Sequence, residues 1–111
     1  MRKTYNKLVR DNIPSIIEDN NEITITRILD DEEYRSELYK KLNEECMEVI
    51  SSKTKTETLE ELADVFEVLK SIAELYDKSI EDVIETAKQK RLKRGGFKKR
   101  IFLERTMTKD D

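Results

Sequence analysis

The sequence predicts an all-α helical bundle with short extended segments near the termini, and three observations carry that expectation. Apolar residues recur at three- and four-residue steps through residues 30–51 and again through residues 59–76, the period of a helix with one buried stripe. A third periodic stretch follows Ser79 and stops at Gly95 and Gly96. The chain of 111 residues is 36% hydrophobic and 42% charged, so its apolar material is gathered on faces instead of being diluted into a disordered composition. This length suits one domain spanning residues 1–111. So thin a core predicts a homo-oligomer, a dimer or tetramer, in which a second copy completes the burial.

Along the chain, Leu8, Val9, Ile13, Ile16 and Ile17 form a short apolar segment, with Pro14 placed for the first turn of a brief helix. Asn20 and Asn21 read as a turn. Residues 22–27, Glu-Ile-Thr-Ile-Thr-Arg, alternate polar and apolar with β-branched side chains, the pattern of a half-buried strand. Its only candidate partner is residues 99–104, which predicts a small two-stranded pairing between the chain ends. Asp30 or Asp31 caps the first long helix, which runs to about Ser51 with Tyr34, Leu38, Leu42, Cys46 and Val49 on one stripe. After a polar break at residues 51–58, Leu59, Leu62, Phe66, Leu69, Ile72 or Ala73, and Tyr76 mark a second long helix. The short connection makes the two antiparallel neighbours. Ser79 caps a third helix, with Ile80, Val83, Ile84 and Ala87 inward and the Gly95-Gly96 pair at its end.

The formal charge of -3 names no partner by itself, but its distribution is uneven. The middle of the chain is acidic, whereas Lys88, Lys90, Arg91, Lys93, Arg94, Lys98, Lys99 and Arg100 follow one another with no acidic residue between them. The single cysteine, Cys46, excludes an intramolecular disulfide and suits a reducing compartment. No apolar run approaches the roughly 18 residues of a membrane span, and no signal-type apolar stretch follows the first residues, so the sequence reads as cytoplasmic with no membrane partner.

Glu45 and Glu48 lie three residues apart on the first long helix, and Glu61 and Asp64 repeat that spacing on the second. Each pair projects from one side of its helix. Packed helices lie roughly 8 to 10 Å apart, a gap that carboxylates from both sides can close over a hard cation. With no histidine and one cysteine, zinc and copper lack their usual ligands, while Mg²⁺, or Mn²⁺ in its place, matches carboxylates and water. The competing reading is a solvated acidic face, for which Glu and Asp are equally suited. The pattern alone weighs the two evenly.

The stretch Glu44-Glu45-Cys46-Met47-Glu48, followed after twelve residues by Glu61-Leu62-Ala63-Asp64, resembles the Glu-x-x-Glu and Glu-x-x-Asp signature of the all-α NTP pyrophosphatases. That superfamily includes MazG, dimeric dUTPases and phosphoribosyl-ATP pyrophosphohydrolase. The opening at residues 5–14, Tyr-Asn-Lys-Leu-Val-Arg-Asp-Asn-Ile-Pro, and the closing at residues 90–97, Lys-Arg-Leu-Lys-Arg-Gly-Gly-Phe, are similar to a small MazG-like branch called phosphoribosyl-ATP pyrophosphohydrolase-like. The resemblance implies Mg²⁺-dependent hydrolysis of a nucleoside triphosphate, noncanonical or phosphoribosyl-ATP, to a monophosphate and pyrophosphate. It implies Glu45, Glu48, Glu61 and Asp64 as metal ligands, with Glu45 or Glu48 doubling as the base, and Glu44 as an outer residue holding a metal-bound water. One departure is that Lys88-Gln89-Lys90-Arg91 stands where MazG proper has Asn-x-Lys-Phe, which removes the expected base-recognising groups. The expected role is house-cleaning of damaged nucleotides.

Arg91, Arg94 and Lys98 around the glycine pair suit a polyphosphate, although cations at a helix C-terminus with a glycine cap would look the same. Lys7 and Arg10, in the family-like opening, either fold over substrate or pin the N-terminus to the bundle. Tyr34, Tyr39, Phe66 and Tyr76 are core candidates before they are base-stacking ones. The rival function is a nucleic-acid-binding helical module using the basic segment. It leaves both acidic pairs unexplained, which makes nucleic acid the less favoured partner.

Overall fold

The computed structural model describes residues 2–110. It contains four helices among those residues, α1 (Ile13–Glu18), α2 (Asp31–Ser51), α3 (Lys55–Leu75) and α4 (Ile80–Arg94), and no strand. The all-α class is therefore realised. No helix among the described residues is long and apolar enough to cross a membrane. The chain divides into two compact units, residues 1–80 and residues 81–111.

The first unit is built on the antiparallel pair α2 and α3. Asp30 starts α2 by accepting from the Glu33 backbone N–H at 2.9 Å, and Thr54 starts α3 by accepting from Glu57 N–H at 3.1 Å, so each first turn has one of its orphan donors satisfied. The two caps leave only residues 52–54 to connect the helices. Ser52 stiffens that corner by donating to the Val49 carbonyl at 2.7 Å and sharing a 2.7 Å bond with the Thr58 hydroxyl. Arg27 holds the approach to α2 through a two-pronged pair with Glu33 at 3.1 and 2.8 Å, and that hydrogen bond keeps the Glu33 carboxyl below the usual range. Pro14 occupies the first turn of α1 as expected, where its missing N–H costs nothing.

At the far end of α3 the backbone turns through Asp77 at φ 57, with Lys78 N–H donating to the Ala73 carbonyl at 3.0 Å and Asp77 N–H to Glu74 at 3.2 Å. This is a Schellman closure in which a glycine would normally take the left-handed position. Asp77→Gly is therefore expected to raise stability by about 0.5 kcal/mol, the side-chain penalty of that conformation less the glycine's entropy cost. A urea midpoint that falls instead would show that the Asp77 side chain supports the turn.

The buried residues are Leu38 on α2, Val68 and Ala73 on α3, and Ile80. Four expectations are corrected here. Residues 22–27 and 99–104 form no strand, and Ile23 and Ile25 are 94% and 98% exposed, because alternation without a hydrogen-bonded neighbour has nothing to bury against. Cys46 is exposed, not part of the inward stripe of α2. The α3 stripe is rotated: Leu59, Leu62 and Phe66 face solvent at 70%, 49% and 45%, Val65 and Val68 turn inward, and Ala73 alone of the expected stripe is buried. The second unit contains α4 from Glu81 onward, where Val83, Ile84 and Ala87 are exposed, and its helix ends at Gly95 with φ 82 and a 2.8 Å bond to the Arg91 carbonyl.

Candidate functional site

The antiparallel register sets residues 45 and 48 of α2 beside residues 64 and 61 of α3, because a three-residue connection brings the helices back on themselves. One carboxylate oxygen from each of Glu45, Glu61 and Asp64 lies within 4.8 Å of the other two, and all three residues are half-buried. Two oxygens on opposite sides of an Mg²⁺ are about 4.2 Å apart, and about 5 Å apart around a larger hard cation, so this all-oxygen triplet has the right chemistry and nearly the right spacing. Glu48 lies outside the triplet. It is exposed and lines a shallow cleft with Ser51, Ser52, Glu57 and Glu61.

Crowding has an electrostatic consequence at Glu61. Desolvation first, then the charges of Asp64, Glu48, Glu45 and Glu60, push its carboxyl above the usual carboxylate range. A raised folded pKa means that the folded chain holds this proton more tightly than the unfolded chain does. Stability then falls as pH rises from the unfolded value near 4.5 through the folded one. A divalent cation seated among the carboxylates removes that penalty. Mg²⁺ is thus expected to raise the melting temperature at pH 7.5 and to have little effect at pH 4, with EDTA reversing the gain. Equal shifts at both pH values would place the ion elsewhere.

Three cations already face these acids. The Arg10 guanidinium donates to Asp64 Oδ1 at 2.6 Å. Lys41 Nζ lies 3.6 Å from Glu45 Oε1 and 3.9 Å from Glu44 Oε1, and Lys7 Nζ lies 3.9 Å from that same Glu44 oxygen. These contacts join the segment that carries Lys7 and Arg10 to the helix pair. Lys41 was not singled out by sequence, although its position four residues before Glu45 is the signal that places the two on one helix face. Arg91, Arg94 and Lys98 all lie in the second unit, exposed.

The aromatic residues are split. Tyr39 and Tyr76 share a hydroxyl–hydroxyl hydrogen bond at 3.0 Å, which together with desolvation pushes the Tyr39 phenol up, and Arg35 sits over the Tyr76 ring at 5.6 Å. They tie α2 to the end of α3 away from the 52–54 connection. Phe66 is exposed and Tyr34 half-buried.

Comparisons with protein-family models, with curated proteins and with solved structures find no match to this chain.

Proposed function

We propose that the chain is a cytoplasmic, Mg²⁺-dependent nucleoside triphosphate pyrophosphohydrolase of the MazG-like kind, releasing a monophosphate and pyrophosphate in a house-cleaning role. What supports the reading is the convergence of Glu45, Glu61 and Asp64 from two helices within 4.8 Å, at the positions that the sequence resemblance marks as metal ligands. When bound, Mg²⁺, or Mn²⁺ in its stead, supplies neutralisation of the phosphate oxygens and a water of lowered pKa. Glu45, Glu61 and Asp64 hold the cation. Glu48, beside Glu61 in the cleft, completes the acidic set, orients the attacking water and takes its proton. Glu44 stands next to the triplet, where it can accept a hydrogen bond from a coordinated water. Lys7 and Arg10 bring cationic donors to the same edge of the helix pair and are the phosphate-binding groups of this unit.

The proposal includes a homo-oligomer, supported by the solvent-facing apolar stripe Leu59, Leu62, Phe66 and Leu69 on α3, which a single first unit leaves uncovered. Arg91, Arg94 and Lys98 are proposed as additional phosphate contacts on the strength of the resemblance around Gly95 and Gly96. The deciding experiment measures pyrophosphate release from canonical and modified nucleoside triphosphates and from phosphoribosyl-ATP, with Mg²⁺ and with EDTA. Release that requires the metal establishes the reaction and begins to name the substrate. Absence of release from every nucleotide overturns the proposal.

A further inference from the structure

The carboxylate triplet is held together by side chains of the wrong kind for a site whose only duty is to wait for a metal. Asp64, one of the three converging acids, carries the shortest ion pair in the first unit: the Arg10 guanidinium reaches it at 2.6 Å, from a residue 54 positions earlier in the chain. Glu45, the second of the three, faces Lys41 at 3.6 Å. The segment that carries Arg10 also brings Lys7 to Glu44 at 3.9 Å, and its Leu8, Val9 and Ile13 are half-buried. A guanidinium stays charged at any pH the fold survives, so Arg10 cannot leave by losing a proton.

We propose that Arg10 is the built-in counter-ion of the metal site: it occupies Asp64 when the cation is absent and competes with the cation for that carboxylate. The inference rests on the metal-binding reading of Glu45, Glu61 and Asp64. Its physical content is an exchange. Asp64 has lone pairs enough for both partners, but two positive groups at one carboxylate repel each other, so each weakens the hold of the other. Entry of the cation weakens the Arg10–Asp64 pair and frees the guanidinium fork at the edge of the site. Arg10 acts on the metal through Asp64 and is a positioning residue.

The exchange sets a penalty on metal binding that removal of Arg10 relieves. The pair is solvent-accessible, with side-chain exposures of 55% for Arg10 and 40% for Asp64, so the penalty is that of a surface pair. Arg10→Gln is expected to tighten Mn²⁺ binding about two- to fivefold. The measurement is a titration of free Mn²⁺ by electron paramagnetic resonance, on the full chain without nucleotide. Arg27→Gln is the matched control, because it removes the same charge from another exposed arginine–carboxylate pair, at Glu33, and changes the net charge equally. Arg27→Gln should bind Mn²⁺ as the parent does. Tightening in Arg10→Gln alone supports the exchange; equal affinities in both variants, or weaker binding in Arg10→Gln, overturns it and leaves the metal site standing. No Mn²⁺ bound by the parent or by either variant sinks the metal reading itself and this inference with it. A second readout needs no variant: in the parent protein, the Arg10 Nε–H resonance should shift on titration with Mg²⁺ while the Arg27 resonance stays still. An Arg10 signal indifferent to a bound ion refutes the exchange even if Arg10→Gln fails to fold.

Discussion

Replacing Glu48 by glutamine is expected to lower the rate of pyrophosphate release by about 10²- to 10⁴-fold, the range that a positioned proton acceptor contributes. The helix pair divides its four acids into three and one. Three of them, Glu45, Glu61 and Asp64, bring an oxygen to within 4.8 Å of one another, a separation suited to sharing one cation. Glu48 is displaced by one helical turn from Glu45, toward the 52–54 connection, and lines the cleft with Glu61 while remaining open to solvent. A carboxylate that is beside the proposed cation site and free of its closest cluster can keep lone pairs for a water. Glutamine preserves length and shape but cannot accept a proton at neutral pH. The loss should therefore fall on kcat, with KM nearly unchanged and the melting temperature equal to or slightly above the parent's, since one charge leaves a crowded set. Retained activity in Glu48→Gln, with loss in Glu45→Gln, would transfer the proton-accepting role to Glu45.

How far such a site can be read from sequence depends on which interactions are local. The α2 start at Asp30 or Asp31 was legible because capping is a matter of four successive residues, and the spacing of Glu45 with Glu48 and of Glu61 with Asp64 fixes one side of each helix without any tertiary knowledge. The apolar stripe begins only at Leu59, whereas α3 itself starts earlier, where Thr54 caps a first turn made of polar residues that carries no apolar signal. Residues 22–27 show the opposite failure. Their alternation is real, but a strand is defined by a hydrogen-bonding neighbour, and the pattern of one segment contains no information about whether another arrives.

Rotation of α3 and the Arg10–Asp64 pair were illegible for a shared reason. Leu59, Leu62, Phe66 and Leu69 form a valid helical stripe, and Val65, Val68, Ile72 and Ala73 form another beside it; periodicity offers both, and packing against α2 selects the smaller side chains and leaves the larger ones to solvent. Arg10 and Asp64 stand 54 residues apart with no spacing rule to connect them. Their meeting follows from where the segment before α1 lies on the helix pair, a property of the assembled first unit.

That selection by small side chains makes Leu38 the residue whose loss should cost the fold most. At 3% exposure it is the most buried side chain of the core, and its companions are the short Val68 and Ala73 and the branched Ile80. Leu38→Ala is expected to destabilise the chain by about 2–5 kcal/mol, because the removed atoms lose their transfer free energy and neighbouring helices collapse only partly into the space. Domains of ordinary stability have roughly 5–15 kcal/mol in all, so the variant should show a large drop in its urea midpoint with an unchanged slope. Leu59→Ala is the informative comparison. Leu59 is 70% exposed in the single chain, and truncation there should change stability by no more than about 0.5 kcal/mol. A larger loss at Leu59, growing with protein concentration, would mean that a second copy covers the α3 stripe in solution and that part of the core lies between chains. A small effect at Leu38 would instead overturn the packing of α2 on α3, and with it the register that brings Glu45 to Asp64.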